Sequence, residues 1–353
     1  MEPTEFESLR RKYGVGPRFL AAYLRFFVKD PEPYRDDASI DDLALGTLSD
    51  TDRMWLDYAL GANERGRGLR DKLVAGRLTP DMRVLDIGCG VGGILVAFAE
   101  AGAQVVGIEV APERLALAGI NLRDTGAGGA AIDRDILSPE LPRELGQFDR
   151  IFMIDVIEHV LDQPAAVRNI AALLAPGGRA LVEAPNGNAL EKVCKDGHFQ
   201  LFGITLCPHE LAREYHAAKF DFEYDVGYYV SLETLLSQFC EAGLSCWVEP
   251  PDAGSLPNTI PYLQYWLEQC DLARQAFVAD DGVPRHVREA VAGCYDAFRG
   301  ELALRLQSAA ELPEGPDRTA AWTELYMRYC FTTWRFHLTG VERPGGKAHA
   351  NRP

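Results

Sequence analysis

The middle of the chain alternates between short apolar runs and longer segments with helical spacing. Runs at 83–87, 104–109, 150–154 and 179–184 have the length of buried strands. Between them, 93–101, 112–123 and 164–174 repeat apolar residues every three to four positions, which predicts helices. A further strand is expected near 130–133. Ser231 then caps a helix over 231–242, with Leu232, Leu235, Leu236 and Phe239 as its apolar positions, and 244–249 reads as another strand. This alternation predicts an α/β fold: a doubly wound, mostly parallel sheet with helices on both faces.

The flanks read differently. Residues 1–75 form a charged N-terminal helical segment. In it Phe19, Leu20, Ala22, Tyr23, Leu24, Phe26 and Phe27 make one broad apolar face, and Asp30-Pro31-Glu32-Pro33 ends the helix. A second helical stretch is expected from about 50 to 74, interrupted by Gly61, Gly66 and Gly68. The core is placed at 76–250, with an insertion at 187–230. Residues 251–329 read as a helical cap or insertion with helices at 262–278, 285–306 and 318–328, where Trp266 and Trp322 suit packing. The aromatic and β-branched run 330–340 reads as the last core strand of a seven-stranded sheet, and 341–353 as a tail.

The run at 83–87 leads into Gly88-Cys89-Gly90-Val91-Gly92-Gly93, and a helix opens at Ile94. Strand, glycine loop and helix N-terminus form a nucleotide-type pocket in which backbone N–H groups face the ligand. Gly88, Gly90 and Gly93 satisfy the dinucleotide pattern G-x-G-x-x-G. Asp86, two residues before the first glycine, would face a pyrophosphate unfavourably but suits a cation. Glu109, ending the next strand, suits two ribose hydroxyls. This pair of acids fits S-adenosylmethionine, which has an ammonium, a sulfonium and a free ribose diol, better than NAD.

With Val84–Gly93 and Val105–Glu109 come Asp133-Arg134-Asp135-Ile136, Gln147–Ile151, Ile154–Val160 and Leu173–Gly178. Together, in this order and at this spacing, they resemble a class I S-adenosylmethionine-dependent methyltransferase over roughly 60–250. The resemblance implies a Rossmann-like sheet. It also implies that Asp86, Gly88, Cys89, Gly90 and Gly92 hold the methionine part, Glu109 and Val110 the ribose side, and Asp135 and Ile136 the adenine, with Asp155 beside the cofactor. Arg65 or Arg67 is a candidate partner for the methionine carboxylate. The N-terminal helices of such proteins often cover the cofactor.

Asp155, Glu158 and His159 follow a buried strand and are candidates for acid/base chemistry, with His159 taking a proton from a hydroxyl acceptor. Asp155-x-x-Glu158-His159 also resembles the metal-ligand motif of small-RNA 3′-end 2′-O-methyltransferases, where a further histidine would come from His198, His209 or His216. A structural turn is the competing reading, and no residue is assigned as a metal ligand. Within the insertion, Lys195–Gly203 combines an Asp-Gly turn, His198 and aromatic residues, and His198 is a second candidate base. Phe220–Tyr229 supplies aromatics for stacking or for a core. The Asp155–His159 stretch further resembles bacterial quinone-biosynthesis O-methyltransferases. The expected activity is methyl transfer to a small-molecule hydroxyl, of a sugar or quinol-like metabolite. The alternatives are metal-assisted methylation of an RNA 3′ end and an NAD-binding oxidoreductase.

Composition narrows the partners. The net charge of −16, from 36 basic and 52 acidic residues, gives no general footprint for nucleic acid or anionic lipid. No apolar run approaches the length of a membrane span and the start carries no apolar h-region, so a cytoplasmic protein is expected. The eight cysteines include no C-x-x-C, so zinc-ribbon spacing is absent. Oligomeric state has no readable signal.

Overall fold

A computed structural model of the chain describes residues 5–29, 50–74, 78–126, 128–250 and 259–340. The expected stop at 30–33 and the tail at 341–353 lie outside the described residues. Seven strands form one sheet: β1 (Arg83–Ile87), β2 (Gln104–Glu109), β3 (Ala130–Asp133), β4 (Phe148–Ile154), β5 (Leu174–Pro185), β6 (Leu244–Val248) and β7 (Thr333–Gly340). Their order is β3-β2-β1-β4-β5-β7-β6. The register is parallel across β3, β2, β1 and β4, with Ile87 opposite Ile108 on one side and Met153 on the other. The run at 330–340 thus supplies the expected seventh strand, beginning at Thr333.

The chain divides into two compact units. The first comprises Met1–Ile154, Ala165–Leu181 and Thr339–Pro353, and the second Asp155–Pro164 and Val182–Leu338. In the first unit, α5 (Gly93–Glu100), α6 (Pro112–Thr125) and most of α8 (Gln163–Leu173) match the predicted periodicity. The apolar faces of α5 and α6 meet the strands in a core that includes Val84, Leu95, Phe98, Val105, Leu122, Phe152 and Leu181. A second cluster joins α2 (Pro17–Phe27) to α6 through Phe19, Leu20, Tyr23, Leu117 and Ile120. α1 (Glu5–Tyr13) precedes it. The helical stretch expected from 50 to 74 is two helices, α3 (Asp50–Leu60) and α4 (Ala62–Val74), parted at Gly61.

Gly66 does not interrupt α4, and its missing side chain has a packing reason. A Cβ there would overlap the carbonyl of Gly93, and a Cβ on Gly93 would overlap the carbonyl of Ala62. The two glycines let α4 lie backbone to backbone against the start of α5.

The second unit has its own core. The insertion at 187–230 is not a plain loop. It contains α9 (Leu190–Cys194) and α10 (His209–Ala217). Leu190, Val193, Phe202, Ile204 and Tyr215 pack with residues of α12 (Thr259–Val278), α13 (Arg285–Glu311) and α14 (Pro316–Tyr329), among them Cys270, Val287, Val291, Tyr295 and Leu325. Trp266 and Trp322 pack against this core, as expected. Buried Asn186 donates to the carbonyls of Arg328 at 2.8 Å and Phe331 at 2.7 Å, tying the end of β5 to the approach to β7. α11 (Leu232–Glu241) starts as predicted, with the Thr234 N–H donating to Ser231 Oγ. Among the described residues, no helix is long and apolar enough to cross a membrane.

Candidate functional site

The first unit builds the glycine loop. The N–H groups of Gly88 and Cys89 both donate to the Ile108 carbonyl, at 2.8 and 3.0 Å, and turn the chain sharply out of β1. Gly88, Gly90 and Gly92 have φ of 67°, 54° and 83°, in the left-handed region that favours glycine. A Cβ on Gly90 would meet nothing within 4 Å, so open space lies over the loop there. Below it, the Asn121 amide donates to the Val91 carbonyl at 2.8 Å and exchanges two hydrogen bonds with Asn63.

Two acids flank this loop. Glu109 Oε2 accepts from the Gly90 N–H at 3.0 Å, and Oε1 from the Val110 and Ala111 N–H groups at 2.9 Å. The carboxylate is therefore already pinned by backbone. With about four lone-pair directions in all, it keeps room for roughly one ribose hydroxyl rather than two. Asp86 is 3% exposed and has no hydrogen-bond partner among the described residues. Burial, and then the nearby Glu109, push its carboxyl well above the usual carboxylate range. A buried carboxylate without a donor is costly unless a cation reaches it. The methionine end of S-adenosylmethionine, with its ammonium and sulfonium, fits such a site.

The other expected cofactor residues fall in varied settings. Val110 is 61% exposed at the end of β2, an apolar surface available to cover a ring. Asp135 Oδ1 accepts the Leu137 N–H at 2.9 Å and shapes a turn, while the Ile136 side chain is buried. Cys89 is buried against Gly107, and burial raises its thiol, which disfavours a nucleophile. Neither arginine is poised for a carboxylate of the cofactor. Arg65 donates to the Tyr58 carbonyl at 2.6 Å and lies over its ring, and Arg67 pairs with Glu100 at 2.8 Å.

The second unit gathers the catalytic candidates. Asp155, the first residue after β4, has a left-handed φ of 52°, and a short 3-10 turn, Ile157–His159, follows. Strain of this kind in a non-glycine residue costs roughly 1–3 kcal/mol and clusters at functional sites. The ligand atoms of Glu158, His159 and His198 all lie within 4.8 Å of one another. Nε2 of His198 is 3.9 Å and Nε2 of His159 4.0 Å from Glu158 Oε1. Glu158 is 2% exposed, and its Oε2 has no hydrogen-bond partner among the described residues. Burial pushes its carboxyl up to about 8, with Asp155 and Asp225 adding to the rise. Burial and then His159 lower the His198 imidazole.

The far sides of both imidazoles are held. His159 Nδ1–H donates to the Asp225 carbonyl at 2.8 Å, and His198 Nδ1 is 2.7 Å from the Tyr229 hydroxyl. Tyr229 and Asp225 were not singled out in the sequence as partners, although both lie in the aromatic stretch 220–229. Asp196 is the other missed residue. Its buried carboxylate accepts the N–H groups of His198, Phe199 and Leu201 and folds the loop that carries His198. The Asp196-Gly197 pair was its signal. Of the three candidate histidines, only His198 joins Glu158 and His159. His209 Nδ1 donates to the Gly227 carbonyl at 2.9 Å, and His216 is buried among Phe199, Phe220 and Phe222.

A family model described as a methyltransferase domain matches residues 62–249, more than half of the chain. The chain belongs to the class I S-adenosylmethionine-dependent methyltransferase family. Strand, glycine loop and the two acids of this methyltransferase domain all fall within the matched stretch. The chain is similar to a ubiquinone biosynthesis O-methyltransferase of Xanthomonas axonopodis pv. citri (strain 306), 36% identical over 121 residues, covering 33% of this chain and 49% of that protein. A protein with the same description from Pseudomonas aeruginosa (strain LESB58) is 36% identical over 108 residues, covering 30% and 45%. The chain spans about half the length of the curated relatives it matches. Among solved structures, phosphoethanolamine N-methyltransferase 2 of Haemonchus contortus, in complex with S-adenosyl-L-methionine, aligns with a TM-score of 0.41 and 20% identity, covering 89% of this chain and 59% of that one.

Proposed function

We propose that the protein transfers a methyl group from S-adenosylmethionine to a hydroxyl of a small-molecule acceptor. The observation that carries the cofactor is Asp86: a buried carboxylate, without a hydrogen-bond partner among the described residues and beside an open glycine loop, favours a cationic ligand over a pyrophosphate. In this reading Asp86 receives the ammonium end of the donor, Glu109 offers its remaining lone pair to the ribose, and Val110 covers the base. The donor supplies a methyl group already activated by a sulfonium. The protein's task is then mainly alignment and exclusion of water, which together supply roughly 7–11 kcal/mol of the barrier.

For the acceptor, the Glu158, His159 and His198 set supplies the groups that handle a hydroxyl proton. The description of the relatives as O-methyltransferases supports a hydroxyl in preference to an amine. The test is calorimetry with S-adenosylmethionine, S-adenosylhomocysteine and NAD, followed by a screen of phenols, quinols and sugars for transfer of a deuterated methyl group. Micromolar binding of the methionine cofactors and a labelled ether product are expected. Preference for NAD would overturn the reading, and a labelled amine would overturn its acceptor class.

A further inference from the structure

We propose that Cys194 and Cys270 form a redox-active dithiol, in which Cys194 attacks a low-molecular-weight disulfide and Cys270 then closes a bond between α9 and α12. Both residues belong to the second unit, and both are free thiols. Two contacts fix how α9 lies on α12. The Tyr262 hydroxyl donates to Glu191 at 3.3 Å, and the Cys270 thiol donates to the Leu190 carbonyl at 3.3 Å. Tyr262 and Cys270 stand about two turns apart on one face of α12. The Leu190 carbonyl is the one that faces the Cys194 N–H within α9, and helical side chains tilt toward the N-terminus. The Cys270 sulfur therefore sits beside the Cys194 side chain, and the two thiols are hydrogen-bonded to each other.

The two sulfurs differ in setting. Cys270 is fully buried and Cys194 is partly exposed, so a reagent from solvent meets Cys194. The hydrogen bond from Cys270, and then the Lys195 ammonium, bring the Cys194 thiol down to about 7, against burial and Glu191. The same hydrogen bond and burial raise the Cys270 thiol. Near neutral pH Cys194 thus supplies the nucleophilic thiolate, and Cys270 keeps its proton until the second step. A second pair supplies a contrast. The Cys207 thiol donates to the Gly203 carbonyl at 3.4 Å and is hydrogen-bonded to Cys294 of α13, and burial raises it.

With glutathione disulfide as the oxidant, the Cys194 thiolate attacks one sulfur and the glutathione S–S bond breaks. Its electron pair leaves with one glutathione as a thiolate. Cys270 then loses its proton to water, and its sulfur attacks Cys194. The mixed S–S bond breaks, and the second glutathione leaves. The dithiol gives up two electrons, and one glutathione disulfide becomes two thiols. The new bond of about 2.05 Å is shorter than a thiol–thiol contact and draws the end of α9 toward α12. That end anchors the loop carrying His198. The Gly203 N–H donates to the Val193 carbonyl at 2.8 Å, and Asp196, which accepts the His198 N–H at 2.8 Å, follows just past Cys194.

The folded full chain is incubated with glutathione disulfide, quenched with acid, alkylated and mapped by peptide mass spectrometry. A linked Cys194–Cys270 peptide is expected, with the loss of two hydrogens, while Cys207 and Cys294 are recovered as alkylated thiols. Cys270→Ala should stop at a glutathione adduct on Cys194. It should also slow iodoacetamide alkylation of Cys194 roughly threefold at about pH 7, because the hydrogen bond that favours the thiolate is gone. Cys194→Ala should leave Cys270 without an adduct. Hydrogen exchange of amides 196–203 should slow in the oxidised wild type and recover on reduction. Unchanged circular dichroism shows that the variants are folded, and the wild-type map does not depend on them. Absence of the Cys194–Cys270 link, a Cys207–Cys294 link that forms first, or an equal adduct on Cys270 in Cys194→Ala overturns the dithiol. Unchanged exchange at 196–203 in the linked protein overturns its hold on the loop.

Discussion

Asn63 and Asn121 exchange two amide hydrogen bonds in the buried interior, at 3.1 and 2.9 Å, although 58 residues separate them. The second N–H of Asn121 reaches Val91, inside the glycine loop. Asn121→Ala should therefore strip both Asn63 and the Val91 carbonyl of a partner. We expect a loss of about 2–3 kcal/mol of stability and weaker binding of S-adenosylmethionine. Thermal melts with and without cofactor test this; an unchanged melting temperature and affinity would show that the pair does not support the loop.

Asp86→Asn should separate stability from binding. The Asp86 pKa is raised in the folded chain. Its contribution to stability is thus fully present below the unfolded value of about 4 and is lost as pH rises through the folded pKa. The amide removes that loss, so the ligand-free variant should melt higher than wild type at neutral pH, with a flatter stability profile above about pH 4. Cofactor affinity should fall roughly 10- to 100-fold, the worth of one charge-assisted hydrogen bond. A variant that is less stable or binds equally well would show that Asp86 does not face a cation.

How much of this was legible follows from how local each feature is. Asp86, the glycines and Glu109 lie within 24 residues, and strand, turn and helix signals place them without tertiary knowledge. The meeting of His198 with Glu158 and Tyr229 depends on chain returns that no periodicity encodes. Within its own loop, His198 was readable only as a candidate. Gly66 was misleading for a related reason. Helix propensity counts its entropic cost, but the Gly93 backbone that makes it necessary lies 27 residues on in sequence.

That contrast gives a paired test within α4. Gly66→Ala gains helix propensity but drives a Cβ into the Gly93 backbone, which cannot move aside cheaply. A net loss of about 1–3 kcal/mol is expected. Gly68→Ala meets nothing within 4 Å and should stabilise by about 0.5–1 kcal/mol. Denaturant melts that rank the two variants the other way would contradict the close helix approach.

Arg67 pairs with Glu100 on a partly exposed surface. Arg67→Ala should cost at most about 1 kcal/mol and change cofactor affinity less than threefold. A larger drop in affinity in calorimetry would return Arg67 to the list of cofactor contacts.

The boundaries between the two compact units fall at 154/155, 164/165, 181/182 and 338/339. Neither unit is therefore a single piece of gene. A fragment covering 182–338 retains His198 and Tyr229 but omits Glu158 and His159, which reside in the short 155–164 passage. A continuous stretch that carries all four side chains runs from 155 to at least 229 and takes in the passage 165–181, which belongs to the first unit. Any fragment that keeps the four together therefore also carries most of α8 and the start of β5, which belong to the first unit.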